Sequence, residues 1–255
     1  MSTPSQVQVG NPYVPDADEV TRAQRGRAWA VHVFTTLGIV AAMLALRDVL
    51  TDHPSYAIVW LLVTLVIDGV DGPIARALEV QKRVPRIDGF VLDLIIDYVT
   101  CVVVPATFMY EFKVVPQNNF GIAVLCVLVF TSAIWFARRD MMSDENWFRG
   151  FPAAWNLVAP IMFLMHARTI VGTVTTLVLS VLALTSMPFP HIMRARWLRP
   201  LTVAVAVLLL AAILTGSVLY PRHLYSVRIA LYLSAGYFVV LSIARMVYDA
   251  RRRRT

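Results

Sequence analysis

Four aspartates interrupt segments that are otherwise apolar enough to cross a membrane. Asp68 and Asp71 lie in Val66-Ile67-Asp68-Gly69-Val70-Asp71-Gly72-Pro73-Ile74-Ala75-Arg76, and Asp93 and Asp97 in Gly89-Phe90-Val91-Leu92-Asp93-Leu94-Ile95-Ile96-Asp97. A carboxylate at mid-membrane costs about 2.5–3.5 kcal/mol on insertion scales, so four left alone would cost on the order of 10 kcal/mol. Helical geometry gathers them. Asp68, Asp71 and Gly72 are spaced i, i+3, i+4 and share a face. Gly89, Asp93 and Asp97 are spaced i, i+4, i+8 and form one stripe. Four converging carboxylates cannot all ionise without a cation, and oxygen-only ligation suits Mg²⁺, Mn²⁺ or Ca²⁺ rather than zinc. Gly72 removes a side chain where a ligand must approach the backbone. Pro73 forfeits its helix hydrogen bond and is expected to kink the segment beside a polar cavity. Arg76, one turn further on, carries a fork suited to a phosphate oxygen. Divalent cations, an open glycine and an arginine together suit a pyrophosphate substrate, because phosphoryl transfer is chiefly positioning and charge neutralisation. His32 is not needed for this chemistry and reads as a structural histidine.

The elements that must hold these groups follow from composition. Of 255 residues, 58% are hydrophobic and 15% charged, with a mean hydropathy of +0.66. Soluble domains run about 45–50% apolar and about 25% charged, so a soluble, disordered or disulfide-rich chain is excluded. Cys101 and Cys126 both lie in apolar runs and read as small hydrophobes. A bilayer core of about 30 Å needs about 20 apolar residues per helix. Segments near that length recur at about 28–47, 55–77, 88–110, 119–137, 151–167, 169–189, 199–220 and 224–247. The expected fold is therefore all-α, a polytopic helical bundle of eight spans in a single membrane domain over 28–247. A segment over 1–27 precedes it, disordered through its first 15 residues and with an interfacial helix expected over 16–27. No signal peptide is expected. A basic tail, 248–255, follows.

Positive charge orients the bundle. With the N-terminus inside, 18 of the 23 Lys and Arg residues fall on the cytoplasmic side, including Arg22, Arg25, Arg27, Arg76, Lys82, Arg83, Arg86, Arg138, Arg139, Arg149, Arg194, Arg196, Arg199, Arg245 and the run Arg251–Arg254. Arg47, Lys113, Arg168, Arg222 and Arg228 remain outside. An even number of spans puts both termini in the cytoplasm and the four aspartates toward that leaflet. The net charge of +7 thus reflects membrane topology, and no nucleic-acid partner is expected.

The pattern Asp68-x₂-Asp71-Gly72-x₂-Ala75-Arg76 … Gly89-x₃-Asp93-x₃-Asp97 resembles the signature of the CDP-alcohol phosphotransferase family, membrane enzymes with a six-helix core to which some branches add helices. The resemblance implies transfer of a phosphatidyl-type group from a CDP-linked donor to an alcohol, with release of CMP. It implies that Asp68, Asp71, Asp93 and Asp97 are metal ligands for two Mn²⁺ or Mg²⁺ ions, that Asp93 bridges them, and that Asp97 is also the general base. Gly72, Ala75, Arg76 and Gly89, with Asp71, resemble the positions lining the cytidine and pyrophosphate pocket. Members are often homodimers. Twelve residues, 77–88, separate Arg76 from Gly89 where most members have eight. That spacing, the length and the segments Phe148–Asn156 and Pro190–Arg196 are similar to the bacterial branch that joins CDP-diacylglycerol to choline in the inner membrane.

A quaternary ammonium has no hydrogen to donate, so its recognition falls to aromatic faces and nearby acid. Tyr98, Trp135, Phe151 and Trp155, with Asn156, are the expected choline contacts, and Asp140, Asp144 and Glu145 can add polarity. Arg138, Arg139, Arg194 and Arg196 are candidates for the phosphate of CDP-diacylglycerol, although topology explains them equally well. Two alternatives stay open: another acceptor (serine, glycerol 3-phosphate or inositol phosphate), and a divalent-cation transporter.

Overall fold

A computed structural model describes residues 21–143, 145–191, 198–222 and 224–252. The N-terminal stretch, Asp144, Arg194, Arg196 and the last arginines of the tail lie outside them. The first span is α1 (Arg22–Leu50), begun by a reciprocal cap in which the Thr21 hydroxyl accepts from the Gln24 amide and the Gln24 side chain accepts from the Thr21 amide. The described part of the expected interfacial helix is simply the first turns of α1. The second span, α2 (Pro54–Ala77), starts on proline, where the missing N–H costs nothing, and runs on through Pro73.

An eleven-residue loop, 78–88, holding α3 (Val80–Arg83) leads to the third span, Gly89–Glu111. This span consists of α4 (Gly89–Tyr98), a π-helical turn over Val99–Val103 and α5 (Val104–Glu111). The Asp88 carboxylate caps α4 by accepting from Phe90 and Val91 at 3.0 and 3.2 Å. The fourth span is α6 (Asn119–Phe136). Then come α7 (Trp155–Leu164), α8 (Thr169–Ala183), α9 (Arg199–Val218) and α10 (Tyr225–Arg252), the last continuing through the start of the expected tail.

Each of the eight expected segments contains a helix, and six of these are long and apolar enough to cross a membrane. α7 and α8, at 10 and 15 residues, are shorter. At 1.5 Å per residue they reach about 15 and about 22 Å, less than a bilayer core. The shortfall in α7 arises because Phe151–Ala154 is irregular, with Ala153 at φ 51°, so the helix begins only at Trp155. The all-α expectation needs one addition. β1 (Trp147–Arg149) pairs antiparallel with β2 (Pro188–Pro190), with Phe148 opposite Phe189. The two prolines of β2 bar a helix there and suit an edge.

Burial is distributed as a bilayer demands. The interior holds small and hydroxyl residues: Ala41, Ala42 and Ala45 in α1, Ser132 in α6, Thr176 and Ser180 in α8, Ser217 in α9. Val33, Leu37 and Val40 of α1, Val207 and Leu214 of α9, and Leu233 and Val240 of α10 face outward. Without a hydrophobic drive between helices in lipid, association relies on close packing of small residues and on internal hydrogen bonds. Ser217 donates to the Ser55 carbonyl at 2.6 Å and Trp155 Nε1 to Ser132 Oγ at 2.9 Å, linking α9 to α2 and α7 to α6. The chain is a multi-pass helical membrane protein.

Two packings position the site. α1 lies along α2, and α4 also rests on α1. The latter contact occurs at Gly38, where a Cβ would stand 3.0 Å from Ile96 Cγ2. Beneath the start of α1, Val80, Val84 and Ile87 pack against Ala28 and Val31, with Ala75 and Leu78 beside them. The long loop between the second and third spans is therefore folded, and its α3 turn seats it.

Candidate active site

α2 and α4 bring the predicted aspartates together. Carboxylate oxygens of Asp68, Asp71 and Asp93 all lie within 4.8 Å of one another. Asp71 is the buried member, at 5% exposure. Asp97 is not in that trio. It sits one turn further along α4, about 6 Å down the axis, half-buried, and the π-helical turn follows it directly. The extra residue of a π turn shifts the helical register. It lets Gly89, Asp93 and Asp97 face the site while Phe108 and Met109, beyond the turn, point into the main core. The Thr100 hydroxyl donates to the Asp97 carbonyl at 3.3 Å within this turn.

Among the described residues, none of the four aspartates has a Lys or Arg within ion-pair distance; the ion pairs lie elsewhere, as at Arg47–Asp48, Arg138–Asp140 and Arg245–Asp249. Three converging carboxylates without a basic partner, offering oxygen alone, fit a hard divalent cation. Arg76 is close without pairing. Its guanidinium lies over Gly72, where a Cβ would stand 3.3 Å from Nη1, and it is within electrostatic reach of Asp71. The missing side chain of Gly72 is thus the space that brings the Arg76 fork beside the carboxylates.

α1 supplies two groups that the sequence reading did not assign to the site. The Thr35 hydroxyl hydrogen-bonds the Asp71 carboxylate. One turn earlier, the His32 ring covers Gly89, its Cε1 3.3 Å from the position a Cβ would take. The available signal was the His32-x₂-Thr35 pair, two polar residues at helical spacing on the small-residue face of the first span.

Other predicted residues have packing tasks. Trp135, Phe151, Trp155 and Asn156 are buried members of the interior. Trp135 Nε1 donates to the Arg149 carbonyl at 3.0 Å, and Phe151 meets Trp155 edge-on with ring centroids 4.9 Å apart. The Tyr98 hydroxyl donates to the Val129 carbonyl at 3.0 Å, and its ring stands edge-on to Phe136. These aromatics therefore do not form an open cage. They are commonplace interface aromatics in sequence, but the irregular entry to α7 folds them inward.

Arg138 is likewise engaged. Its Nη1 donates to the carbonyls of Thr185 at 2.9 Å and of Ala183 and Arg149 at 3.4 Å, while Nε and Nη2 reach Asp140. It clamps the end of α6 to the end of α8 and the ribbon. Arg139 is exposed. Of the loop cations, Lys82 and Arg83 pair with Glu79 at 2.6 and 4.0 Å, and the Lys82 hydrogen bond holds the Glu79 carboxyl below its ordinary range.

Known proteins are similar to this chain in sequence. The CDP-alcohol phosphatidyltransferase profile matches residues 29–187, which take in most of α1, then α2–α8 and β1, and leave β2, α9 and α10 beyond the match. The chain is 40% identical over 186 residues to a phosphatidylcholine synthase of Pseudomonas aeruginosa, covering 73% of this chain and 78% of that protein. It is 40% identical over 184 residues to one from Bradyrhizobium diazoefficiens, covering 69% and 67%. A phosphatidylcholine synthase of Borreliella burgdorferi is 28% identical over 228 residues, spanning 89% of this chain and 97% of its own. That last alignment is longer than the stretch matched by the family profile. Paired aspartates on two neighbouring helices, the arginine over its glycine, and a profile match across most of the chain place the protein in the CDP-alcohol phosphatidyltransferase family.

Proposed function

We propose that this protein is a phosphatidylcholine synthase, transferring the phosphatidyl group of CDP-diacylglycerol to choline and releasing CMP. The observation that carries the reading is the trio Asp68, Asp71 and Asp93, unpaired with any base, beside an arginine held over a glycine. The names of the relatives supply the acceptor. A divalent ion, Mn²⁺ or Mg²⁺, held by Asp68, Asp71, Asp93 and Asp97 would offset the charge of the diphosphate and of the departing CMP.

The chain's own groups have separable tasks. Arg76 offers a two-pronged donor to a diphosphate oxygen lying over Gly72. Thr35 fixes one carboxylate of the trio, so that Asp71 does not swing away when the site is empty. Asp97 takes the hydroxyl proton of choline as its oxygen forms the new bond to the phosphatidyl phosphorus. The phosphorus–oxygen bond to CMP breaks, and CMP carries off the bonding electrons. The acyl chains stay among the outward-facing apolar side chains of the span exteriors. Arginine placement supports a site on the cytoplasmic face of the inner membrane, with both termini inside.

The deciding assay incubates purified protein with CDP-diacylglycerol, Mn²⁺ or Mg²⁺, and labelled choline, serine, inositol phosphate or glycerol 3-phosphate in turn. CMP and labelled lipid should appear with choline. Release of CMP with another alcohol alone would replace the acceptor. No CMP with any alcohol would remove the reading altogether.

A further inference from the structure

His32 stands at the start of this site with an unmet hydrogen-bonding group. It is 5% exposed, and its Nε2 is buried without a partner among the described residues. Burying such a nitrogen unpaired is destabilising. A leucine would fill the same space in α1, between Ala28 and Val31 on one side and Thr35 on the other, without that cost. The ring is also placed with care. It occupies the volume left by the missing side chain of Gly89, with Cε1 at 3.3 Å and Nδ1 at 3.9 Å from the position of a Cβ, and Trp29 stands edge-on to it. His32 and Thr35 thus touch the two halves of the motif, one at Gly89 and the other at Asp71.

Depth selects between the substrates. Gly89 and Asp97 are eight residues apart on one helical stripe, about 12 Å along the axis. The hydroxyl of choline must be at Asp97 to surrender its proton, and the trimethylammonium end has no hydrogen for an imidazole to accept. The end of α4 at Gly89 is also where the polar loop of α3 arrives, the more polar end of the stripe. Resting on the function proposed above, we propose that His32 hydrogen-bonds the cytidine diphosphate end of the donor substrate, over Gly89. It is a binding residue for the donor and takes no part in activating the acceptor.

The test uses the full-length purified protein with CMP as probe in the presence of Mn²⁺, together with steady-state kinetics in both substrates. His32→Leu should weaken CMP binding at least tenfold and raise KM for CDP-diacylglycerol by a similar factor, leaving KM for choline in place. Its Tm should be equal to or above that of the parent, since an unpartnered buried nitrogen has gone. His32→Gln, which restores a polar group at similar reach, should recover part of the CMP affinity and carries the test should the leucine variant not fold. Unchanged CMP affinity in both variants would overturn the inference, as would a fall in Tm with both KM values unaltered, the mark of a packing role. A parent protein that neither binds CMP nor releases it would instead overturn the function on which the inference rests.

Discussion

The chemistry of this chain rests on a few side chains whose tasks can be separated by substitution. Asp97→Asn keeps the shape of the side chain and removes its basicity. Turnover should fall by at least 10²-fold, the lower range for general-base catalysis, while CMP binding in the presence of Mn²⁺ stays measurable. Retained turnover would move the base elsewhere. Gly72→Ala tests a different property. The added Cβ would stand 3.3 Å from Arg76 Nη1, the movable end of a flexible side chain, so the fold should tolerate it. KM for CDP-diacylglycerol should rise as the fork is displaced, with Tm within about a degree of the parent. Trp155→Phe leaves the buried Ser132 hydroxyl without its donor at 2.9 Å. An orphaned buried hydroxyl costs about 1–3 kcal/mol. Thermal unfolding should therefore shift down while KM for choline holds, and a selective rise in that KM would return Trp155 to the acceptor site.

At the level of elements, the spans and the motif were readable because each depends on local sequence. Each of the eight apolar segments holds a helix that begins or ends within a few residues of it, and i, i+3 and i+4 spacing puts Asp68 and Asp71 on one face of α2 and Asp93 and Asp97 on one stripe of α4, which the packing of the two helices then brings together. What was not readable depends on contacts between distant residues. The ribbon joins residues 147–149 to 188–190, two three-residue strands with no periodicity of their own. Trp135, Phe151 and Trp155 carry the composition of interface aromatics, and only the inward fold of the irregular 151–154 segment makes them core. His32 gains meaning from the register between α1 and α4, which Gly38 and Ile96 set.

The ribbon is also the element on which pH acts. Arg245 of α10 pairs with Glu145 and Asp249 and lies 5.1 Å over the Trp147 ring, and Arg252 reaches Glu145 at 3.3 Å. The Arg245 hydrogen bond holds the Glu145 carboxyl below its ordinary range. A carboxyl depressed in the folded state stabilises it above the ordinary carboxylate range, and that contribution disappears as pH falls through the depressed value. Because Glu145 is exposed, the effect is small. Tm should be level from neutral pH to about 5 and decline below about pH 4, and Glu145→Gln should flatten the part of that decline due to this pair.

For the whole molecule, the question is which face of the membrane holds the aspartates. The charge asymmetry favours the α3 loop inside and the turn between α5 and α6 outside. Positive charge near span ends opposes translocation, and the loop at 78–88 carries Lys82, Arg83 and Arg86 against Lys113 alone in the turn at 112–118. Donor and acceptor chemistry require the same arrangement, since a nucleotide-linked lipid and released CMP belong to the cytoplasmic side. The native cysteines do not obscure a labelling test. Cys101 and Cys126 lie within the third and fourth spans, away from the aqueous faces. Gln81 and Gln117 are on the two loops, Gln81 exposed on α3 and Gln117 donating to the Glu111 carbonyl at 3.1 Å. A membrane-impermeant maleimide added to intact cells should therefore label Gln117→Cys and spare Gln81→Cys until the inner membrane is opened. The reverse pattern would place the aspartates on the outer face and rule out synthesis from a cytoplasmic nucleotide pool, whatever the purified protein does in detergent.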